Sequence, residues 1–208
     1  DACKAVGEVF RKGIIPSAME FMERDAIDWS IKYSGAVNFE IKSEWQALLL
    51  IEVDGNQQEV LLMDCEEISN VMNINNCDDI LFADSAEQKA ALWQIRRKVG
   101  EAVKSNSVYK EEDTVVPRAE LPALLKGVKA IGKKYGFHSV CYGHAGDGNL
   151  HVNIIKGDLS QQVWEEDLPK GITEIFELCK SLGGTISGEH GIGLVQKGYL
   201  PIVFSSTH

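Results

Sequence analysis

The chain has 208 residues, of which 44% are hydrophobic and 25% are charged, an ordinary balance for a soluble globular protein. Its formal net charge of -10 argues against a nucleic-acid partner, because phosphate binding requires a basic surface. No apolar run approaches the roughly 20 residues that a membrane span requires, so the sequence predicts no membrane span.

Cysteine usage and the start of the chain bear on its cellular setting. The five cysteines are odd in number and show no C-x-x-C spacing, which argues against a disulfide framework or a zinc ribbon. Reduced thiols in a cytoplasmic protein are the plain interpretation, with Cys141 and Cys179 packed in an apolar core. The chain begins at Asp1 without an initiator Met or a signal-like segment, which indicates a start inside a longer protein or a boundary chosen for expression.

Helical and strand-like patterns alternate along the first half of the chain. The first 40 residues predict a helix, a short strand at 18–22 and a second helix through Trp29. A buried strand over 46–53 precedes helical spacing of apolar residues over 57–72, and residues 79–82 form another strand candidate. Ser85 and Gln88 predict a capping box at the start of a helix that ends near Val103.

The second half adds two helices and a hairpin. Pro117 ends an extended stretch, a helix is expected from 120 to 135 with Gly136 at its end, and another helix covers 163–182. Residues 139–155 predict strand, turn and strand, which rules out a purely parallel sheet. With no Ser/Gly-rich linker, the pattern predicts a single α+β domain over 1–208, with a mainly antiparallel sheet covered by helices.

The predicted hairpin carries two histidines. Asp147-Gly148 is a strong two-residue turn signal, and such a turn places His144 directly opposite His151. Opposed residues point to the same face with Cβ atoms about 4.5–5.5 Å apart, which suits two imidazoles that meet one metal ion. Asn153 then shares their face. A longer loop would loosen this register.

A third histidine lies in a glycine-rich segment at 183–193. Glu189 precedes His190 there, and the flanking glycines either form ordinary turns or permit close backbone approach to a ligand. A lone histidine is usually structural, and we expect His138 and His208 to be either structural or exposed. Two histidines on one face and a third beside a carboxylate favour a metal or catalytic site. The spacing does not match a dinucleotide-binding fingerprint.

These motifs resemble the C-terminal substrate domain of FAD-linked 2-hydroxyacid dehydrogenases, within the vanillyl-alcohol oxidase superfamily. The resemblance is carried by Pro-Ser-Ala-Met-Glu-Phe-Met at 16–22, Gly-His-x-Gly-Asp-Gly-Asn-x-His at 143–151 and Ser-Gly-Glu-His-Gly-Ile-Gly at 187–193. The family includes the glycolate oxidase flavoprotein subunit, D-lactate dehydrogenase and D-2-hydroxyglutarate dehydrogenase. It implies a ferredoxin-like α+β substrate domain.

The resemblance also implies the site residues. A divalent metal, commonly zinc, is held in the family by residues that match His144, His151 and Glu189. The residue matching His190 takes the proton of the substrate hydroxyl, and a 2-hydroxy acid such as D-lactate or glycolate becomes the 2-oxo acid. A metal would lower the pKa of that hydroxyl.

Substrate contacts follow from the same resemblance. Asn153 matches a residue near the substrate, Arg96 matches an arginine that grips the substrate carboxylate, and Lys110 matches a lysine with a similar role. A shift of one position would exchange Arg96 for Arg97.

The hydride acceptor is expected to be FAD, which the family binds mainly through an N-terminal domain that this chain lacks, so we expect no turnover by the chain alone. The expected partners are a small 2-hydroxy acid, the FAD-binding domain of the same polypeptide and an unidentified electron acceptor. The alternatives are a metal-dependent hydrolase, because the donor set also suits a water-activating zinc, and a non-catalytic metal-binding domain.

Overall fold

The computed structural model describes residues 1–35 and 41–205, and the chain divides into two compact units. Unit 1 comprises residues 1–105 together with 142–146, and unit 2 comprises residues 106–141 and those from 147 onward. His208 lies outside the described residues. That residues 1–208 form one domain stays a prediction.

Unit 1 contains four helices and two complete strands among its described residues. Their bounds are α1 Ala2–Arg11, β1 Ala18–Glu23, α2 Arg24–Ser34, β2 Ala47–Glu52, α3 Gln58–Ile74 and α4 Ala86–Asn106. The predictions for these segments are confirmed. At the start of α4, the backbone amide of Gln88 donates to Ser85 Oγ at 3.2 Å, and Gln88 Oε1 accepts from the amide of Asp84 at 2.9 Å.

Strand β1 is the central strand of unit 1. It pairs antiparallel with β2 along its whole length, and Met22 also pairs antiparallel with Tyr142. Met19 and Phe21 point to one face, where both are buried, and Glu20 points to the other. Helix α1 packs against β1, β2 and α3, and it buries Val6 and Val9 completely.

The strand predicted at 79–82 is wrong. These residues form no regular structure, and Leu81 and Phe82 are 45% and 60% exposed. A short apolar run does not by itself distinguish a strand from a loop that covers a neighbouring surface. Here the run lies beside β2 and borders a cavity.

Unit 2 contains the remaining elements. Their bounds are β3 Tyr109–Val115, α5 Leu121–Tyr135, β4 His138–Gly143, β5 Asn149–Ile155, α6 Leu168–Ser181 and α7 Leu200–Val203. The last two residues of β4 belong to unit 1. Strand β5 pairs antiparallel with β3 over its whole length and is hydrogen-bonded to β4 on its other side. The predicted α+β class with antiparallel strands is confirmed.

The core of unit 2 lies between its strands and the packed helices α5 and α6. Cys141 and Cys179 are fully buried within it, as predicted, and burial raises the pKa of the Cys179 thiol to about 12. Helix α5 ends at Gly136, whose φ of 75° is left-handed. No helix within 1–35 or 41–205 has the length and apolar character needed to cross a membrane.

The two-residue hairpin turn is wrong. Strand β4 ends at Gly143, residues 145–147 form a 3₁₀ turn, and His144 lies outside both strands. Gly148 follows with a φ of 75°, and a Cβ on it would lie 2.0 Å from the carbonyl oxygen of Val116. This close backbone approach selects the longer connection over the two-residue turn.

Glu112 is a buried carboxyl group on the helix-covered face of β3. It is 4% exposed and accepts a hydrogen bond from Gln196 Nε2 at 2.7 Å. Burial raises its pKa to about 7 from an ordinary value of 4.5, although the hydrogen bond from Gln196 opposes the change. The folded protein therefore holds this proton to a higher pH than the unfolded chain does.

This difference predicts a pH-dependent stability. The contribution of Glu112 is fully present below pH 4.5 and is lost as the pH rises through about 7. The gap between the two pKa values corresponds to about 3 kcal/mol. Glu112→Gln keeps the shape of the side chain but cannot ionise. Between about pH 5 and 8, its unfolding free energy should therefore fall less than that of the wild type.

Denaturant titrations in a metal-chelating buffer measure this effect. Glu177→Gln on the exposed face of α6 is the matched control and should retain the wild-type pH profile. Identical pH profiles for wild type and Glu112→Gln would refute the assignment.

Candidate functional site

One face of strands β3 and β5 in unit 2 carries a cluster of polar side chains. The register places Asp113 opposite His151 and Glu111 opposite Asn153, and opposed residues of antiparallel strands share a face. The other face of β5 carries its buried aliphatic side chains, namely Leu150, Val152 and Ile154. The prediction that Asn153 shares a face with His151 is confirmed.

Asp113 is the most extensively bonded residue of this face. It is 2% exposed, and its Oδ2 accepts the backbone amides of Gly188, Glu189 and His190 at 2.7–2.8 Å. Its Oδ1 accepts from Asn149 Nδ2 at 2.6 Å. Burial opposes its ionisation, yet the amides of His190 and Glu189 and the Asn149 side chain hold the pKa of Asp113 below its ordinary value. An ionised carboxylate therefore fixes the backbone at 188–190.

Gly188 is required by this contact. A Cβ on it would lie 2.2 Å from Asn149 Nδ2 and 3.0 Å from Asp113 Oδ1. The sequence predicts close backbone approach in this glycine-rich segment. At Gly188, the backbone approaches the side chains of Asn149 and Asp113.

The fixed backbone presents Glu189 and His190 beside His151. Glu189 Oε1 lies 3.4 Å from His151 Nε2 and 3.5 Å from His190 Nε2. The two imidazole rings stack with centroids 5.1 Å apart. The His151 side chain is 4% exposed, whereas those of Glu189 and His190 are 49% and 47% exposed. Glu189 Oε1 and the Nε2 atoms of the two histidines therefore lie together at one edge of the buried His151 ring.

Glu111 approaches the other side of His151. Its Oε1 lies 3.4 Å from His151 Nδ1, so the two ring nitrogens face different carboxylates. A carboxylate at Nδ1 favours the tautomer that protonates Nδ1 and leaves the Nε2 lone pair for a metal ion.

The donor set fits a divalent cation. The ligand atoms that unit 2 offers are His151 Nε2 and Glu189 Oε1, which lie 3.4 Å apart. Imidazole nitrogens with carboxylate oxygens suit zinc, manganese or iron. These donors all belong to unit 2.

His144 lies in unit 1, where its Nδ1 is 2.9 Å from Glu20 Oε1. Arg96 Nε donates to the other oxygen of Glu20 at 2.8 Å. Burial opposes the ionisation of Glu20, but hydrogen bonds and charge from His144 and Arg96 hold its pKa below its ordinary value. His144 thus repeats, in unit 1, the carboxylate-at-Nδ1 arrangement of His151.

Arg96 and Arg97 occupy different surroundings. The Arg96 side chain is 12% exposed, and its guanidinium lies 5.3 Å from the Tyr142 ring centroid. Arg97 is exposed and stacks on the ring of Trp93 at 5.4 Å. Of the two, Arg96 has the buried position suited to a ligand contact.

The two other predicted substrate residues are placed differently. Asn153 is fully buried on the polar face, and neither its Oδ1 nor its Nδ2 has a hydrogen-bond partner among the described residues. Lys110 lies on the opposite face of β3, opposite Ile154, with its Nζ 5.1 Å from the Trp164 ring centroid. The structure therefore groups Asn153, but not Lys110, with His151.

Three functional residues escaped the sequence reasoning. Asp113 and Glu111 belong to a charged run that resembles a solvated strand edge, and Glu20 lies in a segment noted only for its family resemblance. Period-2 alternation over 109–115, paired against the strand of His151, would have marked Glu111 and Asp113 as facing it.

Comparison with known families places this geometry in context. The family described as FAD linked oxidases, C-terminal domain, matches residues 1–207. The chain belongs to this family. Its resemblance to FAD-linked 2-hydroxyacid dehydrogenases is confirmed.

Relatives of this FAD-linked oxidase domain have related names. D-lactate dehydrogenase of Anaerostipes hadrus is 31% identical over 204 residues, which cover 96% of this chain and 43% of that protein. Glycolate oxidase subunit GlcD of Bacillus subtilis is 31% identical over 202 residues, covering 96% and 42%. D-2-hydroxyglutarate dehydrogenase of Stutzerimonas stutzeri is 37% identical over 127 residues, covering 59% and 27%. The chain spans less than half the length of these relatives.

Removing the charge of Asp113 should release the loop at 188–190. Asp113→Asn leaves one oxygen for the donors that now use two, so its own N–H group would face either the three backbone amides or Asn149 Nδ2. We expect a loss of about 3 kcal/mol of unfolding free energy. Amide hydrogen exchange at Gly188, Glu189 and His190 should accelerate more than exchange in α5. Asp158→Asn at an exposed position is the control. Unchanged protection of the three amides would contradict this role.

Proposed function

We propose that this chain is the substrate- and metal-binding part of a FAD-dependent dehydrogenase that oxidises a 2-hydroxy acid to the 2-oxo acid. The observation that carries the proposal is the position of Glu189 Oε1 between the Nε2 atoms of His151 and His190, in a chain of the FAD-linked oxidase family. The names of the relatives support the substrate class, because lactate, glycolate and 2-hydroxyglutarate are all 2-hydroxy acids. Family membership favours this function over a metal-dependent hydrolase.

In this proposal, His151 and Glu189 are the ligands that unit 2 contributes to a divalent metal, with zinc as the first candidate. Glu111 would orient His151 through its charge beside Nδ1, where its Oε1 lies 3.4 Å away. The assignment of His144 as a further ligand rests on the family resemblance, and its Nδ1 contact with Glu20 leaves Nε2 for that purpose. A bound metal would lower the pKa of the substrate hydroxyl and stabilise the alkoxide.

His190 is the proposed base. Its backbone is held by Asp113 while its half-exposed imidazole stays accessible to a substrate. Histidine is the side chain that most often serves as a general acid or base in enzymes. The proton would pass from the substrate hydroxyl to this ring as the α-hydrogen leaves as hydride, for which FAD is the acceptor in the family.

Arg96 and Asn153 are the proposed substrate contacts. A guanidinium presents five donors, and Arg96 uses Nε for Glu20, so its other donors suit a carboxylate. No hydrogen-bond partner for the buried amide of Asn153 lies within 1–35 or 41–205, which supports a ligand contact there. Lys110 stays a prediction of the resemblance.

The remaining partners are part of the same proposal. They are a FAD-binding domain of the same polypeptide and an electron acceptor that the chain does not identify. We also propose a cytoplasmic location, which the free thiols of all five cysteines support.

The redox proposal predicts reduction of bound flavin. Anaerobic addition of D-lactate, glycolate or D-2-hydroxyglutarate to the full-length protein, with its FAD-binding domain loaded, should bleach the flavin absorbance. His190→Ala should slow reduction by about 10²–10⁴-fold at unchanged FAD and metal content, because it removes the base. His138→Ala, at an exposed position on β4, is the matched control. Failure of every 2-hydroxy acid to reduce the flavin would refute the redox function.

The metal proposal has a separate readout. Glu111→Gln should weaken metal affinity by about 10- to 100-fold, because it removes the carboxylate that orients His151. Competition with a fluorescent chelator measures this affinity without turnover, and Glu177→Gln serves as the control. Equal affinities for wild type and Glu111→Gln would exclude the orienting role.

A further inference from the structure

Glu20 is a buried carboxylate that contacts two functional side chains of unit 1 at once. It is 6% exposed, its Oε1 lies 2.9 Å from His144 Nδ1, and its Oε2 accepts from Arg96 Nε at 2.8 Å. Each carboxylate oxygen therefore serves a different side chain. One glutamate thus links the histidine that the family resemblance assigns to the metal with an arginine of α4.

The register of the sheet explains why Glu20 and His144 meet. Phe21 pairs with Gly143 where β1 lies beside β4. Glu20 and His144 occupy the next opposed positions, one residue beyond this pair. Opposed residues of antiparallel strands point to the same face and come within reach of each other. The contact is therefore set by the pairing of the backbone.

The proton in the contact between Glu20 and His144 belongs to the imidazole. An ionised carboxylate carries no hydrogen, so His144 Nδ1 has to donate to Glu20 Oε1. A neutral imidazole carries one N–H group, and donation from Nδ1 places its lone pair at Nε2, the atom that can bind a cation. The carboxylate thereby selects one of the two tautomers of His144.

Arg96 keeps Glu20 in the ionised state that makes this selection. The guanidinium is always charged, and the Arg96 and Glu20 side chains are 12% and 7% exposed, so each charge compensates the other away from water. The guanidinium also lies 5.3 Å from the Tyr142 ring centroid, a cation–π contact that restricts its position. Glu20 is thus stabilised as an ion by one neighbour while it orients the other.

We infer that Glu20 is a positioning residue that fixes His144 as the Nδ1–H tautomer, with Arg96 as its counter-ion. The inference rests on the proposed function in taking His144 as a metal ligand. It gives Arg96 a task that needs no contact with a substrate. A change at Glu20 should therefore impair metal binding although Glu20 is not itself a ligand.

Glu20→Gln should reverse the tautomer. The new amide has one oxygen, and Arg96 takes it because charge-assisted hydrogen bonds are the stronger ones. The amide N–H group then faces His144 Nδ1, which has to accept from it, so the imidazole proton moves to Nε2. A proton on Nε2 has to leave before a cation binds, and metal affinity should fall about 10- to 100-fold.

The tautomer is measured without metal and without turnover. The full-length protein with ¹⁵N-labelled histidine, freed of metal by a chelator at about pH 8, gives proton–nitrogen correlations that distinguish the two neutral tautomers. The signals of His144 are those that disappear in His144→Gln. They should report Nδ1–H in the wild type and Nε2–H in Glu20→Gln. A wild-type His144 in the Nε2–H form would overturn the inference, whether or not Glu20→Gln folds.

Competition with a fluorescent chelator measures the metal affinity of the same proteins. Glu52→Gln is the matched control and should retain the wild-type affinity, because Glu52 also accepts from two side chains of α4, those of Lys89 and Trp93. In a His144→Ala background, Glu20→Gln should change the affinity by less than about twofold, because the ligand through which it acts is gone. Equal affinities for wild type and Glu20→Gln, or equal losses in both backgrounds, would also overturn the inference.

Flavin reduction separates this result from the redox proposal. If the tautomer and the metal affinity change as expected but no 2-hydroxy acid reduces the flavin, the positioning role stands and the redox function fails. If the flavin is reduced while wild-type His144 carries its proton on Nε2, the positioning role alone fails.

Discussion

The buried carboxylate of Asp113 is the interaction on which the candidate site of unit 2 depends. Three consecutive backbone amides converge on one of its oxygens, so the segment that carries Glu189 and His190 is tied to strand β3. A glycine-rich segment has a high entropic cost of ordering, and this anion offsets that cost at one point. The backbone that carries Glu189 and His190 is thereby held in place, while their side chains remain exposed.

The patterns of strands β5 and β3 explain which residues of the candidate site are predictable from the sequence. Alternation along β5 correctly placed His151 and Asn153 on one face, because that strand has a clear apolar side. The charged sequence of β3 carries no such contrast. The roles of Glu111 and Asp113 emerge only when the antiparallel register sets them against His151 and Asn153.

The errors have equally local causes. The Asp-Gly dipeptide favours a two-residue turn, but the backbone of Gly148 packs against Val116 and the connection is longer. His144, at the start of this connection, lies outside the strand and contacts Glu20, which is 124 positions earlier in the sequence. The apolar run at 79–82 resembles a strand because local hydrophobicity does not reveal whether a partner strand is available. Helix ends, by contrast, were predictable where capping chemistry is local, as at Ser85 and Gly136.

The carboxylates around His151 have a consequence for the sequence of binding events. Glu111, Asp113 and Glu189 all lie within 4.0 Å of its ring nitrogens, and each bears a negative charge when ionised. An anionic substrate that approaches this group alone meets electrostatic repulsion. A divalent cation would offset two of these three negative charges and offer the acid a positive centre to bind. Binding at this site is therefore expected to be ordered, with the cation entering before the acid, and surplus chelator should raise the apparent KM before it lowers kcat.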